Sequence, residues 1–274
     1  MAEANPEENN HDKILAGLES GDLTAGVYEG GFKTWECALD LASHAAAGVD
    51  FNKDWHVVEL GAGSAVPSLA ILQLAMQARK SGSKGRLTLT LCDYNEDVLR
   101  LGTAPNVFLN YLTASGRVPR PESLDDQELD LEAPFGADIV QKTMEDMATQ
   151  NISFCLVSGS WGDDFLHLLS PPESGGHGPP NLLILASETI YSPASIKVFA
   201  EVVISLLKRH GKNGKAWVAA KKVYFGVGGG VDEFRKEIKD RQGDITVVAE
   251  ITSTGVGRVV LEVTLDTEAS DTLF

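Results

Sequence analysis

The chain has 274 residues, 43% of them hydrophobic and 23% charged, and its 23 basic against 39 acidic side chains leave a formal charge of −16. A surface of that sign repels bare nucleic acid and suits a basic protein partner, although acidity also serves solubility by itself. Cys37, Cys92 and Cys155 are odd in number, widely spaced and without a CxxC, and the six histidines show no metal-ligand spacing, which argues against a disulfide framework or a zinc site.

The start, MAEANPEENNHDK, is acidic and polar, unlike a signal peptide, and no apolar run reaches transmembrane length. The expectation is a soluble protein of the cytoplasm and nucleus, with no membrane contact. Residues 1–25 read as a polar tail and residues 26–274 as one α/β domain.

In chain order, VYEGGFKTWECALDLASHAAAG (27–48) turns helical in its second half, where Trp35, Ala38, Leu39, Leu41 and Ala42 fall on one face. HVVELGAG (56–63) is a buried strand that runs into glycines. SAVPSLAILQLAMQARK (64–80) follows as a helix, with Ser64 placed to cap it and Pro67 in its first turn. RLTLTLCDYN (86–95) is a second strand, ending in Asp93, and PNVFLNYL (105–112) begins another helix. Residues 113–150 lack a clear period and read as an exposed insertion, as does the Pro/Gly-rich stretch 170–180.

ISFCLVSGSW (152–161) is strand then loop, and LLILASETIYS (182–192) is a fully apolar strand running into a carboxylate. SPASIKVFAEVVISLLKRHG (192–211) carries nearly every helix signal: Ser192 to cap, Pro193 at the first position, an Ile196, Phe199, Val203 and Leu206 stripe, and basic residues before Gly211. KAWVAAKKVYF (215–225) is a strand, VDEFRKEIKDRQG (231–243) a helix, and ITVVAEI with RVVLEVTLD a closing hairpin. Such alternation predicts a Rossmann-like, mostly parallel, doubly wound sheet with an antiparallel C-terminal hairpin.

Ligands of such sheets lie beyond the carboxyl ends of the strands. The first strand ends in Glu59-Leu-Gly61-Ala-Gly63-Ser-Ala65, and the third glycine of a dinucleotide fingerprint is absent because position 66 is Val66. Walker A fails as well. A carboxylate at the end of strand two, Asp93, can accept ribose hydroxyls, which favours a nucleoside ligand such as S-adenosylmethionine over a tight glycine turn of structural purpose only.

These stretches, read together, resemble the histidine protein methyltransferases, a branch of the seven-stranded protein methyltransferases: GGFKTWECALDL before the core, VELGAGSA, LCDYN, SGSW, LASETIYSP and KKVYFGVGGGVDEF, in order over roughly residues 26–240. Ala65 departs from the usual third glycine of the first loop. Glu188-Thr-Ile-Tyr191 stands where related lysine methyltransferases favour an Asp-x-x-Tyr.

The resemblance implies S-adenosylmethionine as methyl donor, with S-adenosylhomocysteine as product. It places Thr34, Trp35, Glu36, Cys37 and Ala38 over the methionine end, and gives Gly61 and Gly63 close approach to the ligand. Asp93 falls on the ribose, Tyr94 and Asn95 near the adenosine, Gly159, Ser160 and Trp161 at the adenine, and Ser187 beside the cofactor. Glu188 and Tyr191 become candidate catalytic residues, Glu188 orienting an imidazole and taking its proton, Tyr191 walling the pocket. Glu188 reads equally as a carboxylate favouring the start of the following helix. Trp35 reads slightly better as a core anchor, and Trp161 reads as either pocket or core.

By resemblance the substrate is a histidine of a large-subunit ribosomal protein, which is basic; nothing in the sequence suggests an obligate oligomer, and a monomer is expected. A lysine methyltransferase, a non-catalytic acidic assembly factor and a nucleotide-dependent oxidoreductase are the competing readings. Cys37 has no histidine partner in a recognisable arrangement and is not read as a nucleophile.

Overall fold

In a computed structural model, the chain is described over residues 31–118, 137–169, 179–224, 228–252 and 255–265. The tail 1–25, residues 26–30 and the centres of both expected insertions lie outside these residues, as do positions 225–227 of the YFGVGGG stretch. The elements are α1 (Glu36–Ala45), β1 (Trp55–Leu60), α2 (Val66–Lys80), β2 (Leu87–Asp93), α3 (Ala104–Ala114), α4 (Ala137–Thr149), β3 (Ile152–Ser158), α5 (Asp163–Leu168), β4 (Asn181–Ser187), α6 (Pro193–His210), β5 (Gly214–Lys221), α7 (Val231–Asp240), β6 (Gly243–Ile251) and β7 (Arg258–Leu265).

The strands form one seven-stranded sheet in the order β3-β2-β1-β4-β5-β7-β6, parallel except at β7, which pairs antiparallel with both β5 and β6. The chain runs outward from β1 to β3 and returns to β4 beside β1. The topological switch point therefore falls between the carboxyl ends of β1 and β4. Both strands are buried along their length because helices cover both faces. Alternate residues divide between two cores. Val58, Leu182 and Ile184 face Phe199, Val203 and Leu207 of α6. Val57, Leu183 and Leu185 face Leu41 of α1 and Ile71, Leu72 and Ala75 of α2.

Several local expectations are corrected. Ala65, not Ser64, occupies the N-cap of α2, in a left-handed conformation at φ 59°. Leu39 is 56% exposed, and the buried face of α1 is Cys37, Ala38, Leu41, Ala42 and Ala45. Ser192 stands at the N-cap of α6 but its side chain makes no capping bond. β5 stops at Lys221 rather than running to 225, and residues 137–149, expected within an exposed insertion, are helical. The α4 stripe at Ile139, Thr143 and Met147 has a threonine at its centre, so the apolar period is too thin to register in sequence.

Before α3 the chain forms a short helical turn, Glu96–Val98, and then a π-helical turn, Leu99–Thr103. Pro105 explains the widening: it lacks the N–H that would bond Leu101 and its ring would strike that carbonyl. The wider turn carries Thr103 onto the first glycine loop, where its hydroxyl donates to the Gly63 carbonyl at 2.6 Å.

At the opposite end of the sheet, His56 is 2% exposed, with Nε2 2.9 Å from the Thr90 hydroxyl and its ring 6.0 Å from that of His210. Burial, reinforced by His210, pushes the His56 imidazole down to about 4. Because the folded state then binds the proton later than the unfolded chain, stability is complete above about pH 6.5 and is lost as pH falls toward 4. Glu59 is shifted the opposite way, so His56 is isolated by comparison with a variant. Chemical denaturation from pH 7.5 to 4 should show the wild type losing about 3 kcal/mol relative to His56→Gln, and pH-independent parallel curves would contradict this.

Candidate active site at the strand carboxyl ends

The crevice is built first by hydrogen bonds from backbone to one carboxylate. Asp93, 8% exposed at the end of β2, accepts the Gly63 N–H on Oδ2 at 3.0 Å and the Asn95 N–H on Oδ1 at 3.1 Å. Its own carbonyl accepts the Gly159 N–H at 3.1 Å, which ties in the loop after β3. Burial raises the Asp93 carboxyl, and these N–H donors pull it back down.

Glu59 is 1% exposed. Its Oε2 accepts the Ser68 N–H at 3.0 Å, in the first turn of α2, and burial pushes its carboxyl up to about 8. It therefore fastens β1 to α2 rather than facing a ligand.

A side chain at either loop glycine would meet the chain itself. A Cβ on Gly63, at φ 51°, would lie 2.9 Å from the Gly31 carbonyl oxygen, and one on Gly61, at φ 70°, 3.1 Å from the Thr189 methyl. The missing side chains make room for the chain's own GGFKTW and SETIYS segments. At Gly159, φ 133°, the Cβ direction opens on empty space. Thr34 and Ser64 hydroxyls meet at 2.8 Å, and the Asn106 amide donates to the Ser64 carbonyl at 3.1 Å, so the loop is held from three sides.

The other expected cofactor residues divide by exposure. Tyr94 is 48% exposed, Asn95 is the half-buried N-cap of the turn at 96–98, Ser160 is exposed and Ser187 is half-buried at the end of β4. Trp161 is half-buried and packs 5.1 Å from the Phe199 ring, so one face of it belongs to the core. Cys37 and Ala38 are buried at 0% and 7%, so Cys37 presents no surface to the crevice. Trp35 is not a core anchor. It is the half-buried N-cap of α1, with Lys33 and Lys221 each 4.9 Å from its ring.

Glu188 lies just past β4 at the switch point, in a left-handed conformation at φ 56° that a residue with a side chain adopts at a cost of about 1–2 kcal/mol. Its N–H is fixed to the Ala219 carbonyl at 3.0 Å. The Tyr224 hydroxyl donates to its Oε2 at 2.6 Å, and Lys221 Nζ is 3.3 Å from its Oε1. The Lys221 backbone N–H in turn donates to the Tyr224 oxygen at 3.2 Å. Burial, with Glu188 next in weight, pushes both the Cys37 thiol and the Tyr224 phenol upward, so each stays protonated beside this carboxylate. A protonated, buried thiol is a poor nucleophile.

Lys221 and Tyr224 were not singled out in sequence. The only signal was two polar residues three apart where a buried strand gives way to glycines. Tyr191 is half-buried, and its carbonyl accepts the Gly229 N–H at 3.2 Å; a Cβ at Gly229 would collide with that same carbonyl. Gly229 is thus packed against the SETIYS segment at Tyr191.

The residues fit a nucleoside cofactor. Asp93 retains acceptor capacity at the strand-two position, Gly159 borders open space, and the buried Thr189 hydroxyl, behind Gly61, has no hydrogen-bond partner. No group of three potential metal ligands occurs among the described residues, and no described helix is long and apolar enough to cross a membrane.

Two substitutions in the first loop should move stability in opposite directions. Gly63→Ala combines a left-handed φ with a contact against backbone and should cost about 2–3 kcal/mol. Ala65→Gly relieves the left-handed N-cap but frees the unfolded chain, and should be neutral to about 1 kcal/mol stabilising. Thermal melts of both variants check this, and an unchanged Gly63→Ala melt would contradict the contact with Gly31.

No family model matches the chain. It is 36% identical over 252 residues to histidine protein methyltransferase 1 of Saccharomyces cerevisiae, an alignment covering 88% of this chain and 66% of that protein. Against histidine protein methyltransferase 1 of Schizosaccharomyces pombe it is 36% identical over 259 residues, covering 93% of this chain and 70% of the other. The chain thus spans about two thirds of the length of these relatives. A solved magnesium protoporphyrin IX methyltransferase from Synechocystis PCC 6803 superposes with a TM-score of 0.44 at 11% identity, covering 94% of each chain. On the strength of the two yeast relatives, the chain belongs to the histidine protein methyltransferase family.

Proposed function

We propose that the chain is a protein-histidine N-methyltransferase that takes its methyl group from S-adenosylmethionine. The observation that carries this reading is the Glu188 carboxylate, held in a strained backbone conformation at the switch point by Tyr224 and Lys221 and bordering the Asp93 crevice. When bound, S-adenosylmethionine supplies an electrophilic methyl on a sulfonium.

Asp93 would hold the ribose hydroxyls, Gly159 and Trp161 would border the adenine, and Trp35 would close over the methionine end. Glu188 would accept the hydrogen bond of one imidazole N–H, which aims the lone pair of the other ring nitrogen at the methyl. Glu188 would stabilise the positive ring that methylation leaves and would receive its proton. Tyr191, whose backbone is fixed by Gly229, would wall the acceptor side.

An imidazole has an unperturbed pKa of about 6.5, so much of it is a competent nucleophile at neutral pH without prior deprotonation. The chain's charge of −16 supports a basic acceptor protein, and the substrate we favour is a large-subunit ribosomal protein, methylated by a monomeric enzyme in the cytoplasm or nucleus.

The test is transfer of labelled methyl from S-adenosylmethionine to ribosomal proteins from cells lacking the enzyme, with the labelled residue mapped by mass spectrometry. Label is expected on a histidine of a large-subunit protein. Glu188→Gln should lower the rate by about 10²–10⁴-fold, while calorimetric affinity for S-adenosylhomocysteine changes less than about threefold. Label on lysine would overturn the reading. Cofactor binding without transfer to any protein would favour the non-catalytic assembly factor.

A further inference from the structure

Lys221 steadies the Glu188 carboxylate, and beyond that the proposed transfer gives it no task. It leaves the end of β5 and its side chain is 21% exposed. Its Nζ lies 3.3 Å from Glu188 Oε1, 3.5 Å from Glu36 Oε2 and 4.9 Å from the centre of the Trp35 ring. Two carboxylates and one indole face make the environment that an alkylammonium seeks: charge neutralisation on one side, a ring quadrupole on the other. Burial would lower this ammonium, but Glu188 and Glu36 outweigh burial and hold it raised. The chain fills the cage with its own lysine, tethered two residues beyond Ala219, whose carbonyl fixes the Glu188 N–H.

We propose that Lys221 is the specificity determinant of the acceptor site: its ammonium fills from within the cage that a substrate lysine would need, and so restricts the acceptor beside Glu188 to a neutral ring. This rests on the reading that the acceptor meets Glu188. An incoming lysine is protonated at neutral pH, with an unperturbed pKa of about 10.4, and would have to share one pair of carboxylates with a tethered like charge. A neutral imidazole carries no such charge. It needs only an acceptor for its N–H, and a carboxylate oxygen already bonded to Tyr224 retains a second lone-pair site. Glu36 then acts in selection through Lys221, and Trp35 adds that task to closing over the methionine end.

The experiment uses the full chain with S-adenosylhomocysteine present, and titrates n-butylammonium chloride, a mimic of the lysine side chain, followed by tryptophan fluorescence and by the methyl signals of the probe. The wild type should show no saturable binding, and Lys221→Arg should remain closed. Lys221→Met should bind butylammonium at least about tenfold more tightly than the wild type. Lys221→Gln repeats the test with a polar replacement, and thermal melts confirm that each variant is folded.

Saturable binding by the wild type overturns the proposal without recourse to any variant. So does a folded Lys221→Met or Lys221→Gln protein that gains nothing. In the methyl-transfer assay, Lys221→Met should place label on lysines that the wild type leaves unmodified. If the wild type labels no protein, the histidine reading fails, whereas occupancy of the cage still stands or falls on the butylammonium titration.

Discussion

The carboxylate of Asp93 accepts N–H groups from Gly63 and from Asn95, and the carbonyl of the same residue accepts the N–H of Gly159. Three loops, following β1, β2 and β3, therefore converge on one residue. An unpaired carboxylate at 8% exposure would be costly, and two backbone donors offset that cost while converting it into geometry. This side of the crevice is thus mostly backbone, held in place by the chain's own hydrogen bonds. That is the condition under which positioning contributes most to a displacement reaction. It also means that removing Asp93 would disturb the backbone of the first loop, whatever contact it makes to a ligand.

The acceptor side is constructed differently. Here side chains converge: Glu188 from the end of β4, Lys221 and Tyr224 from the end of β5, and Trp35 and Glu36 from the start of α1. The two halves meet because β4 returns beside β1, which brings Thr189 against Gly61. Gly31 packed against Gly63 serves the same end, since it fixes the strand of chain that delivers Trp35 and Glu36. A residue as remote in sequence as Gly229 joins in by stacking its backbone on that of Tyr191.

How much of this was legible in the sequence follows from what each feature depends on. The parallel sheet showed itself in strands such as LLILAS, whose burial on both faces leaves no alternation to misread. The α6 helix was equally plain, with a wide stripe and basic residues at its end. Local patterning failed where one residue broke it. Thr143 thinned the stripe of α4, and Ser64 offered a cap that the backbone placed one residue later, at a left-handed Ala65.

The site was readable in part for the same reason. Asp93 ends one buried strand and Glu188 follows another, at the carboxyl edge where ligands of such sheets lie. The roles of Gly61 and Gly63 were not readable, because a glycine states that something comes close without stating what, and here it is residues 31 and 189. Lys221 and Tyr224 depend on β5 lying next to β4, a fact of topology rather than of spacing.

The placement of Lys221 bears on how one sheet can serve acceptors of different charge. A carboxylate beside a transferable methyl is ambiguous: it can neutralise an ammonium or it can orient a ring. What decides between them is the charge already present. Without Lys221, the mostly buried Glu188 and the exposed Glu36 would present two negative charges beside an indole ring that Lys33 alone would still approach, and the site would favour a cation. Adding one tethered ammonium brings the local sum of these three groups to a single negative charge and uses the indole face at the same time. Glu188 then remains as a hydrogen-bond acceptor with its attraction for cations largely spent. Specificity of this kind needs no extra contact to the favoured substrate. It comes from a repulsion built against the disfavoured one, set by a residue that the fold places at the end of its fifth strand.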